Sequence, residues 1–358
     1  MMLPKLVSPL LAALLVLSLP LAAQAEFVDP LDVPARASEL AQSRLLNGVT
    51  RAGARLVAVG QRGHVLYSDD EGKSWQQASV PVSVDLLAVQ FPTPTHGWAV
   101  GHSGVVLVSV DGGRTWTRQL DGREVVRLLQ HNYVDRPPAE FAGDADALAT
   151  FQDSMRRLVA DGPDKPFHDL WFDDEKTGYV VGPFNLILRT EDGGKSWQPL
   201  LERTENPQQL HFFGVRRVGG ELYVVGEQGM VLKLSRTERR FLPMSVDYPG
   251  TLFGLAGAHD ALLVYGLRGT AFRSGDQGAS WTPVQTGTQA GLVGSLTLPD
   301  GDVRLLSQSG HVLASTDGGR SFTATQAQPQ ATSGGIALAD GSVLLVGLHG
   351  VQSPRPAP

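Results

Sequence analysis

The sequence predicts an all-β fold: a seven-bladed β-propeller of four-stranded blades, with one helical insertion between blades two and three. Three observations lead to this prediction. A short box of the form S/T-x-D-x-G-x-S/T-W recurs along the chain, and an apolar segment followed by G-x-x-G recurs with a similar period. One stretch, 121–166, interrupts the series. Repeats of this length are typical of propellers and solenoids.

The aspartate box occurs five times, as SDDEGKSW (68–75), SVDGGRTW (109–116), TEDGGKSW (190–197), SGDQGASW (274–281) and STDGGRSF (315–322). Successive boxes start 41, 81, 84 and 41 residues apart. A carboxylate that accepts backbone N–H groups, followed by a glycine, predicts a tight turn between the third and fourth strands of a blade. The aromatic residue is expected to enter the outer strand and pack between blades. We therefore interpret the following box residues as structural: Asp70, Trp75, Asp111, Trp116, Asp192, Trp197, Asp276, Trp281, Asp317 and Phe322.

The second repeated element, an apolar strand with G-x-x-G or a close variant, begins at residues 58, 99, 180, 224, 264, 305 and 345. The fourth copy is followed by SRTERRF (235–241), a box that has lost its aspartate and glycine, so a degenerate blade fills the gap between the third and fourth boxes. Four short strands in about 41 residues are typical of a propeller blade, and seven such units predict seven blades. The last unit has three strands, and FVDPLDV (27–33) is expected to supply the fourth and close the ring.

The composition is that of a globular protein, with 42% hydrophobic and 18% charged residues and a net charge of −6. A nucleic-acid-binding protein would carry a basic surface, so nucleic acid is not an expected partner. The chain has no cysteine, which excludes disulfides and thiolate sites. Two inner strands begin with histidine, His168 and His211, and these could meet in the channel. No third ligand with matching spacing accompanies them, so neither a metal nor a cofactor is expected.

The first 25 residues have the pattern of a signal peptide. Lys5 is followed by the apolar run LVSPLLAALLVLSLPLA (6–22) and by AQA (23–25), which predicts cleavage after Ala25. An uncleaved membrane anchor is the alternative. The expected organisation is a signal peptide at 1–25, a single propeller domain at 26–353 and a disordered tail at 354–358, in an exported, periplasmic monomer.

The turns between the second and third strands lie on the face opposite the boxes, and the insertion emerges on the same side. These turns are either polar simply because they are exposed to solvent, or they form a rim that recognises a peptide or small ligand. In the insertion, DADALATFQDSMRRLVADG (144–162) has helical apolar spacing and is expected to be the only substantial helix. It either hides its apolar stripe on the propeller or docks a partner. The candidate partner-binding residues are Gln61, Arg62, His102, Glu227, Gln228, Arg268 and His349, with Arg156 and Arg157 on the insertion.

The combined unit V-G-x-x-G-x-x-L-x-S-x-D-G-G-x-x-W resembles the photosystem II stability/assembly factor family of Asp-box (BNR) repeat propellers, over about residues 45–350. The resemblance implies an exported, non-enzymatic scaffold or chaperone that binds a protein partner during membrane-protein assembly or export. In photosynthetic members the client is a newly made reaction-centre polypeptide, held by a basic patch. No single arginine cluster matching that patch is visible along this sequence.

A glycoside hydrolase of the sialidase type is the alternative, because those enzymes share the box. Such an enzyme needs an arginine triad and a Tyr–Glu pair, and an Arg-Ile-Pro segment usually supplies one of the arginines. The chain has no such segment, and its tyrosines occupy strand positions. No catalytic residue is therefore assigned, although two carboxylates on one rim would suit a retaining glycosidase.

Overall fold

The computed structural model describes residues 28–352, apart from 139, 245, 299, 328 and 329. The predicted signal peptide and the predicted tail lie outside the described residues. Within them the chain forms seven antiparallel sheets, and the strands of each sheet follow one another in sequence order. The predicted seven-bladed β-propeller is confirmed, and so is the helical insertion between blades two and three.

The strands of each blade run outward from a central channel. Blade one contains β1 (Leu46–Ala52), β2 (Arg55–Gly60), β3 (Val65–Ser68) and β4 (Gln76–Gln77), and blade two contains β5 (Leu86–Gln90), β6 (Gly97–Gly101), β7 (Val106–Ser109) and β8 (Thr117–Leu120). Blade three contains β9 (Asp169–Phe172), β10 (Gly178–Val181), β11 (Ile187–Thr190) and β12 (Gln198–Pro199), and blade four contains β13 (Phe212–Val218), β14 (Glu221–Gly226), β15 (Val231–Ser235) and β16 (Arg240–Pro243). Blade five contains β17 (Leu252–Ala258), β18 (Ala261–Gly266), β19 (Ala271–Ser274) and β20 (Thr282–Pro283), and blade six contains β21 (Leu292–Thr297), β22 (Val303–Ser307), β23 (His311–Ser315) and β24 (Thr323–Ala327). Blade seven contains β25 (Thr332–Ala337), β26 (Val343–Gly347) and β27 (Gly350–Gln352).

Apolar residues on both faces of the blades hold the ring together. In β2, Val57 and Val59 face blade two, whereas Leu56 and Ala58 face blade seven. Burial on both faces explains why these strand sequences are nearly continuous apolar runs. The described core divides into seven clusters, one at each interface between neighbouring blades. The largest lies between blades two and three, where the insertion adds to it, and the smallest lies between blades six and seven.

The five aspartate boxes form the same hydrogen-bonded turn. In blade three the Asp192 carboxylate accepts from the Ser196 amide (2.9 Å), the Ser196 hydroxyl (2.6 Å) and the Thr190 hydroxyl (2.9 Å). The Thr190 oxygen in turn accepts from the Gly194 amide at 2.9 Å. The turn places Trp197, which is 7% exposed, in the cluster between blades two and three. Equivalent bonds form at Asp70, Asp111, Asp276 and Asp317.

The N-terminal segment does not close the ring in the predicted way. For its described residues, 28–33, the prediction that FVDPLDV adds a fourth strand to blade seven is wrong, because Pro30–Asp32 form a 3-10 turn beside blades one and two. The described part of blade seven has three strands. Leu31 is buried in the cluster between blades one and two, and the Ala35 amide donates to the Val80 carbonyl at 3.0 Å. These contacts hold residues 28–35 beside blades one and two. The following 3-10 turn, Ala41–Ser43, packs against β27 of blade seven without adding a strand to it.

Blade seven joins blade one through an ion pair and an apolar cluster. The Arg51 guanidinium binds both oxygens of the Glu71 carboxylate, at 2.8 and 2.7 Å, and donates to the Ala337 carbonyl at 3.1 Å. Glu71 also accepts from the Ala339 amide at 3.2 Å. Arg51 and Glu71 lie on blade one, whereas the Ala337 carbonyl and the Ala339 amide lie on blade seven. The ion pair therefore bridges the first and last blades.

The insertion contains two helices, not the one that was predicted. The first, α1 (Gly122–Leu129), is capped by Asp121 and continues into a π-helical turn (Gln130–Val134), and the second, α2 (Ala145–Ala160), is capped by Asp144. Met155 and Leu158 of α2 are buried in the cluster between blades two and three, with Phe151 and Val159 packed against it. The insertion therefore hides its apolar stripe on the propeller. In the described residues no helix is both long and apolar enough to cross a membrane.

The box of blade three should contribute to stability through both its tryptophan and its aspartate. Trp197→Ala removes a large side chain from the core and should lower the free energy of unfolding by about 3–5 kcal/mol. Asp192→Ala leaves the Ser196 amide without its acceptor at a largely exposed site and should cost about 1 kcal/mol. Urea denaturation measures both changes. Equal stability of Trp197→Ala and the parent would contradict the structural assignment.

Acid should weaken the boxes. Hydrogen bonds, first of all from the box serine hydroxyl, lower the pKa of Asp70, Asp192 and Asp276 to about 2, from a usual value of 3.8. Because the folded pKa is the lower one, these carboxylates stabilise the fold above about pH 4, and the contribution is lost as the pH falls toward 2. The urea midpoint should fall across this window, and less steeply in Asp192→Ala. Identical pH profiles for parent and variant would contradict this prediction.

Candidate functional site

The turns between the second and third strands form one side of the propeller, which we call the turn face. Five of these turns place a non-glycine residue in the left-handed conformation: Arg62 (φ 54°), Ser103 (φ 55°), Phe184 (φ 55°), Gln228 (φ 53°) and Arg268 (φ 57°). In four of the five a glycine follows, which has a positive φ and lies against the connection to the next blade. A Cβ at Gly63, for example, would lie 2.1 Å from the Val82 carbonyl oxygen. Short turns packed against a neighbouring backbone hold in place the backbone from which these side chains extend.

The structure distributes the predicted binding residues around this face. Arg62, His102, Gln228, Arg268 and His349 are exposed, whereas Gln61 and Glu227 are half-buried. The Glu227 carboxylate is already engaged, because it accepts from the His211 amide at 2.8 Å. The two predicted arginines of the insertion, Arg156 and Arg157, are exposed on α2, and Arg156 pairs with Asp153 at 2.5 Å. No pocket or contact brings all of these residues together.

Apolar side chains on the turn face were missed as candidates. Phe184, Leu267 and Leu348 lie in the turns of blades three, five and seven and are 38%, 40% and 52% exposed. The Phe184 ring packs edge-on against His211, with 4.6 Å between centroids. The signal in the sequence was an apolar residue inside turns that are otherwise polar. These three side chains come from blades that are not neighbours, and each offers exposed apolar area on the turn face that a protein partner could cover.

The insertion lies on the same side, beside the turn of blade two. A Cβ at Gly122, the first residue of α1, would lie 1.9 Å from the Pro163 carbonyl oxygen and 2.9 Å from that of Ser103, so the two ends of the insertion meet at this turn. Its base is held by a buried polar network. The Tyr133 hydroxyl donates to the Glu202 carboxylate and accepts from the Leu201 amide at 3.2 Å. Burial, reinforced by the Glu202 charge, raises the pKa of Tyr133.

The central channel, about 290 Å³ in volume, is lined by the inner strands of all seven blades. Six inner strands place glycine or alanine at one level, and blade three places Asp169 there. The Asp169 carboxylate accepts from the Val215 amide at 3.0 Å and pairs with Arg216. Both partners lie on β13, so this carboxylate ties the inner strands of blades three and four together.

The two histidines of the inner strands do not meet in the channel. His168 lines it, stacks on Phe213 and has its Nδ1 atom 2.7 Å from the Phe212 carbonyl oxygen. Burial lowers the pKa of His168. His211 packs instead against Phe184 on the turn face. Among the described residues no cluster of histidine and carboxylate side chains could hold a metal ion.

The structure brings together arginines that are far apart in the sequence. Arg36, Arg44 and Arg62 line one cavity between the N-terminal segment and blade one. The sequence contained no single arginine cluster, because these residues come from three separate segments that meet when the N-terminal segment folds back on blade one.

The sequence profile of the family described as "Photosynthesis system II assembly factor YCF48" matches residues 67–135 and 154–296. The photosystem II assembly protein Ycf48 of Synechococcus sp. (strain JA-2-3B'a(2-13)) is 31% identical over 144 residues, 36% of this chain and 40% of that protein. The chloroplastic photosystem II stability/assembly factor HCF136 of Cyanidioschyzon merolae is 32% identical over 108 residues, 29% of this chain and 23% of that protein. The chain thus spans less than half the length of these curated relatives in each match.

Solved structures share the fold over most of the chain. One described as "YCF48 bound to D1 peptide" superimposes with a TM-score of 0.62 at 16% identity and covers 89% of this chain and 97% of that one. The WD40 propeller domain of Doa1 gives a TM-score of 0.60 at 11% identity and covers 89% of this chain and 94% of that one. At these identities the likeness is one of fold.

Removing the Tyr133 hydroxyl should loosen the insertion. Tyr133→Phe leaves the buried Glu202 carboxylate and the Leu201 amide short of a partner, at a cost of about 1–3 kcal/mol. We expect faster hydrogen exchange in α2 and unchanged exchange in blades five and six. Tyr67→Phe is the control, because that hydroxyl bonds Gln76 at an exposed site, 3.0 Å away. Unchanged exchange in α2 would show that the network does not anchor the insertion.

Proposed function

Because this chain belongs to the photosystem II assembly factor YCF48 family, we propose that it is a non-enzymatic assembly factor that binds a segment of another protein on its turn face. The observation that carries the proposal is the set of exposed apolar side chains, Phe184, Leu267 and Leu348, on turns of fixed geometry. Each offers apolar area that a partner can cover, and the surrounding polar turns offer hydrogen bonds, as in the core and rim of an interface.

The turn face is suited to binding because little of it needs to become ordered. The turns are short and backed by neighbouring backbone, as at Gly63 and Gly269, where an added Cβ would lie 2.1 and 2.0 Å from a carbonyl oxygen of the next connection. The insertion extends this surface and is fixed by the buried Met155 and Leu158. A preorganised surface keeps more of its contact energy as binding free energy, because it loses little conformational entropy.

The proposed partner is a segment of a membrane protein that is presented on the side to which this chain is exported. A solved relative by fold is described as bound to a D1 peptide, which supports a peptide-like client. The sequence of residues 1–25 supports export, and a cleaved signal peptide would place the protein in the periplasm. One relative, from Trichormus variabilis, is named a lipoprotein. This chain has no cysteine to carry such a lipid, so we propose a free, monomeric protein.

A glycosidase is the less favoured alternative. The curated relatives are named as assembly proteins, and the sequence lacks the Arg-Ile-Pro segment of sialidases. Glu227, the carboxylate among the predicted binding residues of the turn face, already accepts a hydrogen bond from the His211 amide. These observations support a binding role for the face.

Two matched variants test the binding face. Phe184→Ser combined with Leu267→Ser removes apolar area from the turn face, and Val110→Ser removes a side chain that is 60% exposed in a box on the opposite face. In one assay, proteins of the native exported fraction are captured on the immobilised parent and on each variant. In a second assay, the binding of a labelled D1 peptide is followed by fluorescence anisotropy. We expect the turn-face variant to lose about tenfold or more in affinity for the client or peptide, and Val110→Ser to match the parent.

Both variants must keep the parent's melting temperature, which the exposure of the changed residues favours. Deleting the insertion would be a poorer test, because α1 and α2 supply buried residues to the cluster between blades two and three. If the turn-face variant captures the same proteins and binds the peptide as tightly as the parent, the turn face is not the binding surface.

A further inference from the structure

A cavity of about 880 Å³ lies between the N-terminal segment and blade one. Three guanidinium groups line it: Arg36 from the N-terminal segment, Arg44 just before β1, and Arg62 from the turn that follows β2. Within the described residues none of the three has an ion-pair partner. Asp32 of the same segment, by contrast, forms ion pairs with Arg118 and Arg123. The three arginines thus differ from this neighbouring charged residue in having no counter-ion among the described residues.

His64, which lines the same cavity, is 6% exposed, and its Nδ1 atom is buried without a hydrogen-bond partner. The Arg36 backbone carbonyl lies beside the ring and favours a proton on it. A carbonyl accepts from a protonated ring nitrogen, so the remaining nitrogen, Nδ1, is an acceptor in the neutral imidazole. Burial, and then the charge of Arg62, lowers the pKa of His64 and favours the neutral ring, against the smaller opposing effects of the Arg36 backbone and Asp85.

The cavity thus combines several strong donors with one unused acceptor. We propose that it binds inorganic hydrogen phosphate, whose oxygens accept from Arg36, Arg44 and Arg62 while its hydroxyl donates to His64. Guanidinium groups match phosphate oxygens in geometry and charge. Sulfate and carboxylate have no proton to donate near neutral pH and would leave Nδ1 unsatisfied. The volume also leaves room for several waters that hydrate the bound ion.

Part of the site is in place before the ligand arrives. The Arg62 backbone is fixed in the left-handed conformation (φ 54°), and its amide donates to the Asp85 carboxylate at 2.7 Å. The Arg36 backbone is held from the other side, since its carbonyl accepts from the Gln77 side chain at 2.9 Å. Two of the three arginines therefore extend from anchored backbone, which reduces the ordering cost of binding.

Isothermal titration of the purified protein with phosphate, and separately with sulfate, in a chloride buffer at pH 7 tests the proposal. We expect phosphate to bind at least tenfold more tightly than sulfate. Equal affinity for the two anions, or no heat with phosphate, would overturn the proposed site.

Arg62→Gln and Arg268→Gln form a matched pair, because both residues occupy the same position of a G-x-x-G turn, with φ values of 54° and 57°. Only Arg62 lines the cavity. We expect Arg62→Gln and Arg44→Gln each to weaken phosphate binding by about tenfold, the usual effect of losing one charged hydrogen bond. Arg268→Gln should bind as the parent does. Equal losses in Arg62→Gln and Arg268→Gln would overturn the assignment.

His64→Gln addresses selectivity. The change removes the unused acceptor nitrogen while leaving the three arginines, so the preference for phosphate over sulfate should shrink several-fold. The variant is buried and must first be checked for a native melting curve; if it fails to fold, the anion preference of the parent and the arginine pair still decide the proposal. A folded His64→Gln with the parent's full preference would exclude the role given to His64.

Discussion

The bond between an aspartate carboxylate and the amide four residues later sets the geometry on which the rest of the ring depends. It fixes the box turn, and a fixed turn presents its backbone carbonyls to the neighbouring blade. Side chains of the preceding blade use these acceptors repeatedly: Arg55 donates to the Gly112 carbonyl, Gln119 to Gly193, Tyr223 to Gln277 and Arg273 to Gly318. The box therefore orders its own hairpin and also provides the hydrogen bonds that join one blade to the next. That double role explains why the chain repeats the box on most blades, whatever the ring binds.

Closure of the ring follows from the same logic. Many closed rings pair the two chain ends in one blade. Here Leu31 is buried between blades one and two, and the turn Ala41–Ser43 packs on β27 without adding a strand. The box of blade one compensates, because its Glu71 binds Arg51 and the Ala339 amide of blade seven. The smallest described cluster lies between blades six and seven, with Leu306, Val312, Val343 and Leu345 as its buried members. If the ring opens anywhere among its described blades, this interface has the least apolar area to lose.

Local repetition made most of the fold predictable, and long-range contacts account for what was missed. The degenerate box after β15 was also recognised from the sequence. The structure agrees, because β15 pairs with β16 and Phe241 of β16 is fully buried. Helix α1 was missed because it is short, although Asp121 followed by Glu124 is the pattern of a helix start. The position of the N-terminal segment depends on partners such as Val80, far along the chain, which no local pattern encodes. The arginine cavity was missed for the same reason. Individual residues of the turns could be named from the sequence. Which of them are exposed, and which already accept a hydrogen bond as Glu227 does, became clear only from the folded ring.

The two faces of the propeller differ in how much of their polar capacity is already used. On the face that carries the aspartate boxes, the Asp192 carboxylate accepts three hydrogen bonds from its own turn, and the other box aspartates do likewise. Little of their hydrogen-bonding capacity is left for a ligand. On the turn face the backbone is fixed by neighbouring connections while side chains such as Arg268 and His349 stay exposed. The insertion adds to this face without becoming a mobile lid, because Met155 lies in the largest cluster of the core. Recognition by such a surface selects partners that fit a rigid shape, so the partner must supply most of the adjustment. A flexible segment of a newly made protein can do so, whereas a folded surface would have to match the rim from the outset.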